Sequence, residues 1–205
     1  MSIHSSMELF AHVRSAYVGR WLARLDELRQ AGELVAIEPP LLGGGGAPVL
    51  NERGGFPYRA DLLARTASGE PQQVSCVFPQ VEVFAPVRFN HDGSLPLRVF
   101  PFFWTAAGVR AFGADAGQLR RHIAEWAARW FGLVDPRAVE AIEEADLHGV
   151  IHRVQYVEAE CTADCIAVEV DLGSSHVEAL MTLLDAIKVC GASEVRVGDP
   201  TLTAG

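Results

Sequence analysis

The chain of 205 residues carries 17 basic and 26 acidic residues, a formal net charge of −9, and 49% hydrophobic residues. That apolar share supports a sizeable core, while the acidic surplus repels phosphate backbones, so nucleic acid is not expected as a partner. No stretch approaches the about 20 apolar residues that cross a bilayer, and MSIHSSMELFAHVR lacks the order of a secretory signal. No membrane contact and a cytoplasmic location are therefore expected, with Cys76, Cys161, Cys165 and Cys190 reduced.

Residues 6–31 predict a long amphipathic helix, because Leu9, Phe10, Val13, Tyr17, Trp21, Leu25 and Leu28 recur at spacings of three and four and Gly32 follows the end. A strand LVAIE (34–38) runs into a proline- and glycine-rich stretch expected to be a loop, and Pro57 suggests a short helix over 57–67. Three β-branched and aromatic runs within 72–104 predict strands, two of them joined by the turn His91-Asp92-Gly93-Ser94. A second amphipathic helix is expected over 115–131, and Asp135-Pro136 starts a further one running to about Ala145.

The last sixty residues predict strand 149–158, strand 165–171, helix 175–190 and strand 193–198. Ser175 and Glu178 have the spacing of a capping box, and Gly191 stands at the helix end. The fold class expected is α+β: a mostly antiparallel sheet with packed helices and a C-terminal ββαβ element of ferredoxin-like pattern. One domain over 1–205 is expected, with a division into 1–113 and 114–205 as the alternative.

Charge is unevenly placed. Residues 1–100 hold nine basic and ten acidic residues, whereas residues 101–205 hold eight and sixteen. Between 135 and 171, ten carboxylates face only Arg137 and Arg153. Such a field draws basic partners. Arginine outnumbers lysine sixteen to one, which fits a GC-rich bacterial coding bias.

The stretch HGVIHRVQYVEAECTADC (148–165) holds two histidines four apart and two cysteines four apart. A zinc site needs its ligands to converge at about 2.0 to 2.3 Å. On a strand, His148 and His152 share a face but stand about 13 Å apart, too far for one ion. A hairpin turning at Ala163 puts His152 opposite Ser174 and leaves Cys161 and Cys165 as a cross-strand pair within disulfide range. Nearby Glu158, Glu160 and Asp164 disfavour a thiolate at either cysteine. No metal ligand, cofactor site or catalytic residue is assigned.

No phosphate loop, nucleophile elbow or zinc-protease helix is present in the sequence. The expectation is a non-enzymatic acidic binding protein that engages a basic protein partner, such as an inhibitor or immunity protein neutralising a bacterial toxin. Its partner-binding residues would be Glu140, Glu143, Glu144 and Asp146, with Glu158, Glu160 and Asp164 as a second patch. The alternative is an enzyme or small-molecule binder with a pocket between sheet and helices, drawing on His148, His152, Asp171 and Ser175. A further alternative is a subunit that associates through the long N-terminal helix.

Overall fold

The computed structural model describes residues 5–43, 47–50, 58–76, 84–133 and 148–199. Helix α1 (Ser6–Gln30) starts where the Ser5 hydroxyl accepts the Glu8 N–H at 3.2 Å, satisfying one of the free donors of the first turn. Its apolar stripe, Leu9 to Leu28, lies in the chain's own core.

Strands β1 (Leu34–Ile37), β2 (Leu62–Arg65) and β3 (Pro71–Val74) form a small antiparallel sheet in that order. A strand thus stands where the sequence suggested a helix over 57–67. Leu62 and Ala64 are buried and Arg65 is exposed, and pairing on both sides of β2 outweighs the helix preference of Leu, Ala and Arg.

The larger sheet contains β4 (Val87–His91), β5 (Leu95–Val99), β6 (Ala107–Phe112), β7 (Arg153–Tyr156), β8 (Cys165–Asp171) and β9 (Glu194–Gly198). Their order is β4-β5-β9-β6-β8-β7, antiparallel throughout except where β5 meets β9. Helices α2 (Ala116–Ala128) and α3 (Val177–Val189) pack with α1 against one face, where Leu97, Val109, Val168 and Val195 meet Leu119, Ile123, Leu180 and Leu183. The fold is α+β, with a mixed larger sheet and an antiparallel smaller one. No helix among the described residues is long and apolar enough to cross a membrane.

The C-terminal β7-β8-α3-β9 order matches the expected ββαβ element. However, β9 returns beside β6 rather than β8, so the two parallel strands of the crossover are separated by β6. That central strand escaped the sequence reading. Ala107 through Ala111 are all buried, which removes the alternation that marks a half-exposed strand.

Three local expectations fail for identifiable reasons. Helix α3 is capped at His176 without a side-chain bond, because Ser175 turns inward; its buried hydroxyl meets no hydrogen-bond partner among the described residues. Strand β7 is short, and Glu158–Glu160 wind into a 3-10 turn, so Arg153 pairs with Asp171 and the register differs by two residues from one centred on Ala163. That register extends to place His152 opposite Leu172 rather than Ser174. Cys161 Sγ accordingly meets the Ala167 N–H at 3.5 Å, and both Cys161 and Cys165 are free thiols.

Candidate functional site

Four separated segments converge where the small sheet meets the β7 edge of the large one. The Glu38 N–H donates to the Asp61 carbonyl at 2.9 Å, the Arg59 N–H to the His152 carbonyl at 3.1 Å, and the His152 N–H to the Asp171 carbonyl at 2.9 Å. Glu38, just past β1 and before Pro39, has φ of 46°, a left-handed conformation that a non-glycine residue rarely adopts. Its side chain is wholly buried. A strained, buried carboxylate is a recurrent mark of functional sites.

The His152 imidazole sits at the centre of this junction. Its Nε2 lies 2.9 Å from Glu38 Oε1, and its Nδ1 lies 3.3 Å from Asp61 Oδ1 and 3.9 Å from Asp171 Oδ1. Since both ring nitrogens face carboxylates, both carry protons, and the ring is an imidazolium. Burial opposes that charge, yet hydrogen bonds to Asp61 and Glu38 and the Asp171 charge overcome it and raise the His152 pKa to about 10. His152 therefore holds its proton at neutral pH.

Further donors fix each carboxylate. The Tyr17 hydroxyl donates to Asp61 Oδ1 at 2.7 Å and the Cys76 N–H to Oδ2 at 2.5 Å. Glu38 accepts the His148 N–H at 2.8 Å and the Ser174 N–H at 3.3 Å. Burial pushes both carboxyls up, but these bonds and the His152 charge outweigh it, so both lie below their ordinary values. Asp171 is different. Burial lifts its carboxyl to about 6, only partly countered by the His152 charge and the Gly173 N–H at 3.0 Å.

The loop after β8 is held in place by further hydrogen bonds. The Trp104 indole N–H donates to the Gly173 carbonyl at 3.0 Å, and Arg14 donates to the Ser175 and Ser174 carbonyls at 2.8 and 3.1 Å. The Ser174 hydroxyl accepts the Gly149 N–H at 3.0 Å.

One side of the cluster opens into a groove of about 300 Å³ lined by Arg59, Asp61, Gln73, Ser75, His152 and Asp171. Arg59 directs its guanidinium to the Glu38 carbonyl at 2.8 Å. Three carboxylates thus meet one imidazolium and one guanidinium, and Arg153, whose charge also reaches Asp171, is paired with Glu169 at 2.7 Å, so one negative charge is in excess when Asp171 is ionised. No group of three or more metal-ligating side chains among the described residues is arranged to hold a metal ion. Cys76, beside Asp61, has its thiol pushed up by burial and then by the Asp61 charge, which disfavours the thiolate a nucleophile requires.

No family model, curated protein or solved structure matches this chain.

Of the residues singled out in the sequence, His152 and Asp171 meet in the cluster and His148 reaches it through Glu38, whereas the Ser175 hydroxyl is buried without a hydrogen-bond partner among the described residues. Gly149 has φ of 69° and breaks the extended path assumed between the two histidines. Both reach one carboxylate: His148 Nδ1 lies 3.6 Å from Glu38 Oε2, while His152 binds Oε1. Glu38 and Asp61 were missed, although a glutamate at a strand end before two prolines and an aspartate opening the apolar run DLLA were the available signals.

The expected docking acids fare differently. Glu140, Glu143, Glu144 and Asp146 lie outside the described residues. Glu158 accepts two hydrogen bonds from Arg120, each at 3.0 Å, and Arg120 also stacks over the Tyr156 ring. Glu160 is paired with Arg110. Asp164 is exposed.

Proposed function

We propose that the chain is a non-enzymatic binding protein whose groove between Asp61 and Asp171 takes a cationic group, such as a lysine or arginine side chain of a basic protein partner. The observation that carries the reading is the charge imbalance of a built cluster: three carboxylates, one imidazolium and one rim guanidinium around an open groove. An ammonium or guanidinium entering beside Asp171 would supply the missing positive charge in a partly desolvated setting, where charge-assisted hydrogen bonds are strong. The acidic surplus of residues 101–205 would steer such a partner toward the protein. A cytoplasmic immunity or inhibitor protein acting on a bacterial toxin is the concrete form of this proposal.

The same sheet order supports a narrower fold reading. With β6, β7, β8 and β9 antiparallel in the order β9-β6-β8-β7 and helices after β6 and β8, we infer a ferredoxin-like pattern for the described residues 107–133 and 148–198. That reading concerns architecture and carries no activity.

Titration calorimetry of the full chain with N-acetyl-arginine amide and N-acetyl-lysine amide tests the function. Binding is expected at pH 7.5, weakening at pH 5 as Asp171 takes up a proton, and absent for the uncharged citrulline analogue. Equal heats for the citrulline analogue, or no heat with either cation, would overturn the proposal.

A second reading, an enzyme acting on a small molecule, draws on one specific feature. Asp171 is the member of the cluster whose carboxyl titrates near neutrality, and it faces the groove. A general acid or base has that property.

A further inference from the structure

The two sheet faces differ sharply in chemistry. On the face away from the helices, Arg88 of β4 pairs in register with Arg98 of β5, Arg98 with Arg196 of β9, and Arg196 with Arg110 of β6. Residues directly opposite on neighbouring strands point to the same face, so four arginines form one row across four adjacent strands. At about 4.8 Å per strand the row is about 14 Å long. Like charges directly opposite one another destabilise a sheet, and here three successive pairs are alike in a chain of net charge −9.

The row is graded in access. Arg110, with 5% of its side chain exposed, is covered by the 3-10 turn, where Glu160 pairs with it and Cys161 sits on Ala167. Arg196 pairs with Glu194 at 2.8 Å and has 20% of its side chain exposed, Arg98 is half-buried, and Arg88 is exposed. Neighbouring positions of this face on β4 and β5 are Asn90 and Pro96, so neither strand contributes a carboxylate. Two guanidinium groups also lie over aromatic rings, Arg98 at 5.3 Å from the Phe100 centroid and Arg196 at 4.8 Å from the Phe112 centroid.

From these features we infer that the open part of this face, over β9, β5 and β4, binds a single-stranded nucleic acid. A row of arginines aligned strand by strand suits a linear chain of phosphates, and a guanidinium lying over a ring offers its other plane to a base. The expectation against nucleic acid rested on overall charge, which averages over the molecule. At about 0.15 M salt the screening length is about 8 Å, so a strand laid over β5 and β4 responds to Arg88 and Arg98 more than to acids elsewhere on the molecule, the carboxylates beside the row being Glu194 at Arg196 and Glu160 at Arg110. The inference is independent of the cation groove, which lies at the β7 edge.

Fluorescence anisotropy of the full chain with a labelled oligo-uridine of about ten nucleotides tests it, at about 0.15 M salt. Saturable binding is expected, weakened about tenfold or more by R88E/R98E and several-fold by R98K, which keeps the charge but loses the planar stack. Asp171→Asn, a groove variant, should leave the oligonucleotide affinity unchanged. Circular dichroism checks that the double variant folds; if it does not, R88E alone, at an exposed position, carries the test with the same direction. No binding by the natural chain, no loss on charge reversal, or equal affinity for inorganic polyphosphate would each overturn the proposal.

Discussion

Gly173 and His152 are in contact through a gap that admits no further carbon: a Cβ built on Gly173 would lie 2.6 Å from His152 Nε2 and 2.6 Å from the Val150 carbonyl oxygen. Gly173 also has φ of 49°, which L side chains rarely adopt. Gly173→Ala therefore combines backbone strain with displacement of the imidazole from Glu38. A loss of about 2 to 4 kcal/mol is expected in urea unfolding, while Gly117→Ala, near the start of α2 with only an ordinary contact at 3.5 Å, should cost less than about 1 kcal/mol.

Replacing His152 by Gln leaves Glu38 and Asp61 buried without their counter-charge, so a loss of about 3 to 5 kcal/mol is expected near pH 7. The pH dependence follows from the raised pKa. Folding stabilises the protonated ring, so this contribution is complete below the ordinary 6.5 and disappears as pH rises through about 10. Over that window the natural protein should lose stability at up to about 1.4 kcal/mol per pH unit from this group, and His152→Gln should lack that component. Urea midpoints at pH 6.5, 8 and 9.5 measure the difference; parallel curves for the two proteins would show that His152 is not protonated in the fold.

Asp171 runs the other way from its carboxylate neighbours. Its folded pKa of about 6 exceeds the ordinary 3.8, so its favourable contribution is complete below 3.8 and lost as pH rises through about 6. Above that point the native state carries a charge that the cluster does not fully compensate. Asp171→Asn keeps an oxygen for the Gly173 N–H while removing the charge, and should stabilise the protein by about 1 to 3 kcal/mol at pH 8 with little effect at pH 4. The same variant should lose cation binding in the groove, which is the usual opposition between stability and function at a binding site.

How much of this was legible depended on whether the information was local. Helix α1 and the hairpin around Gly93 were readable because a 3.6-residue stripe and a turn tetrad lie within single segments. Strand β6 was not, since burial on both sides erased its alternation. The cluster was half legible: His148, His152 and Asp171 were named, but Glu38 and Asp61 arrive from segments more than ninety residues before His152 in the chain. The arginine row was invisible for a related reason, because strand register, not sequence spacing, places Arg88, Arg98, Arg110 and Arg196 together.

The carboxylates of the 158–160 turn separate structural acids from docking acids. Glu158 is 56% exposed and its pair with Arg120 is screened by solvent, so Glu158→Gln should change stability by less than about 1 kcal/mol. Glu160 faces Arg110, whose side chain is 5% exposed, and Glu160→Gln removes the carboxylate charge from a buried guanidinium, with an expected loss of about 2 to 4 kcal/mol. If instead both variants keep full stability and both lose a basic partner in a pull-down, the two acids act by docking rather than by holding the turn over β6. Thermal melts of the two single variants, run alongside Asp164→Asn as an exposed control, decide between these roles.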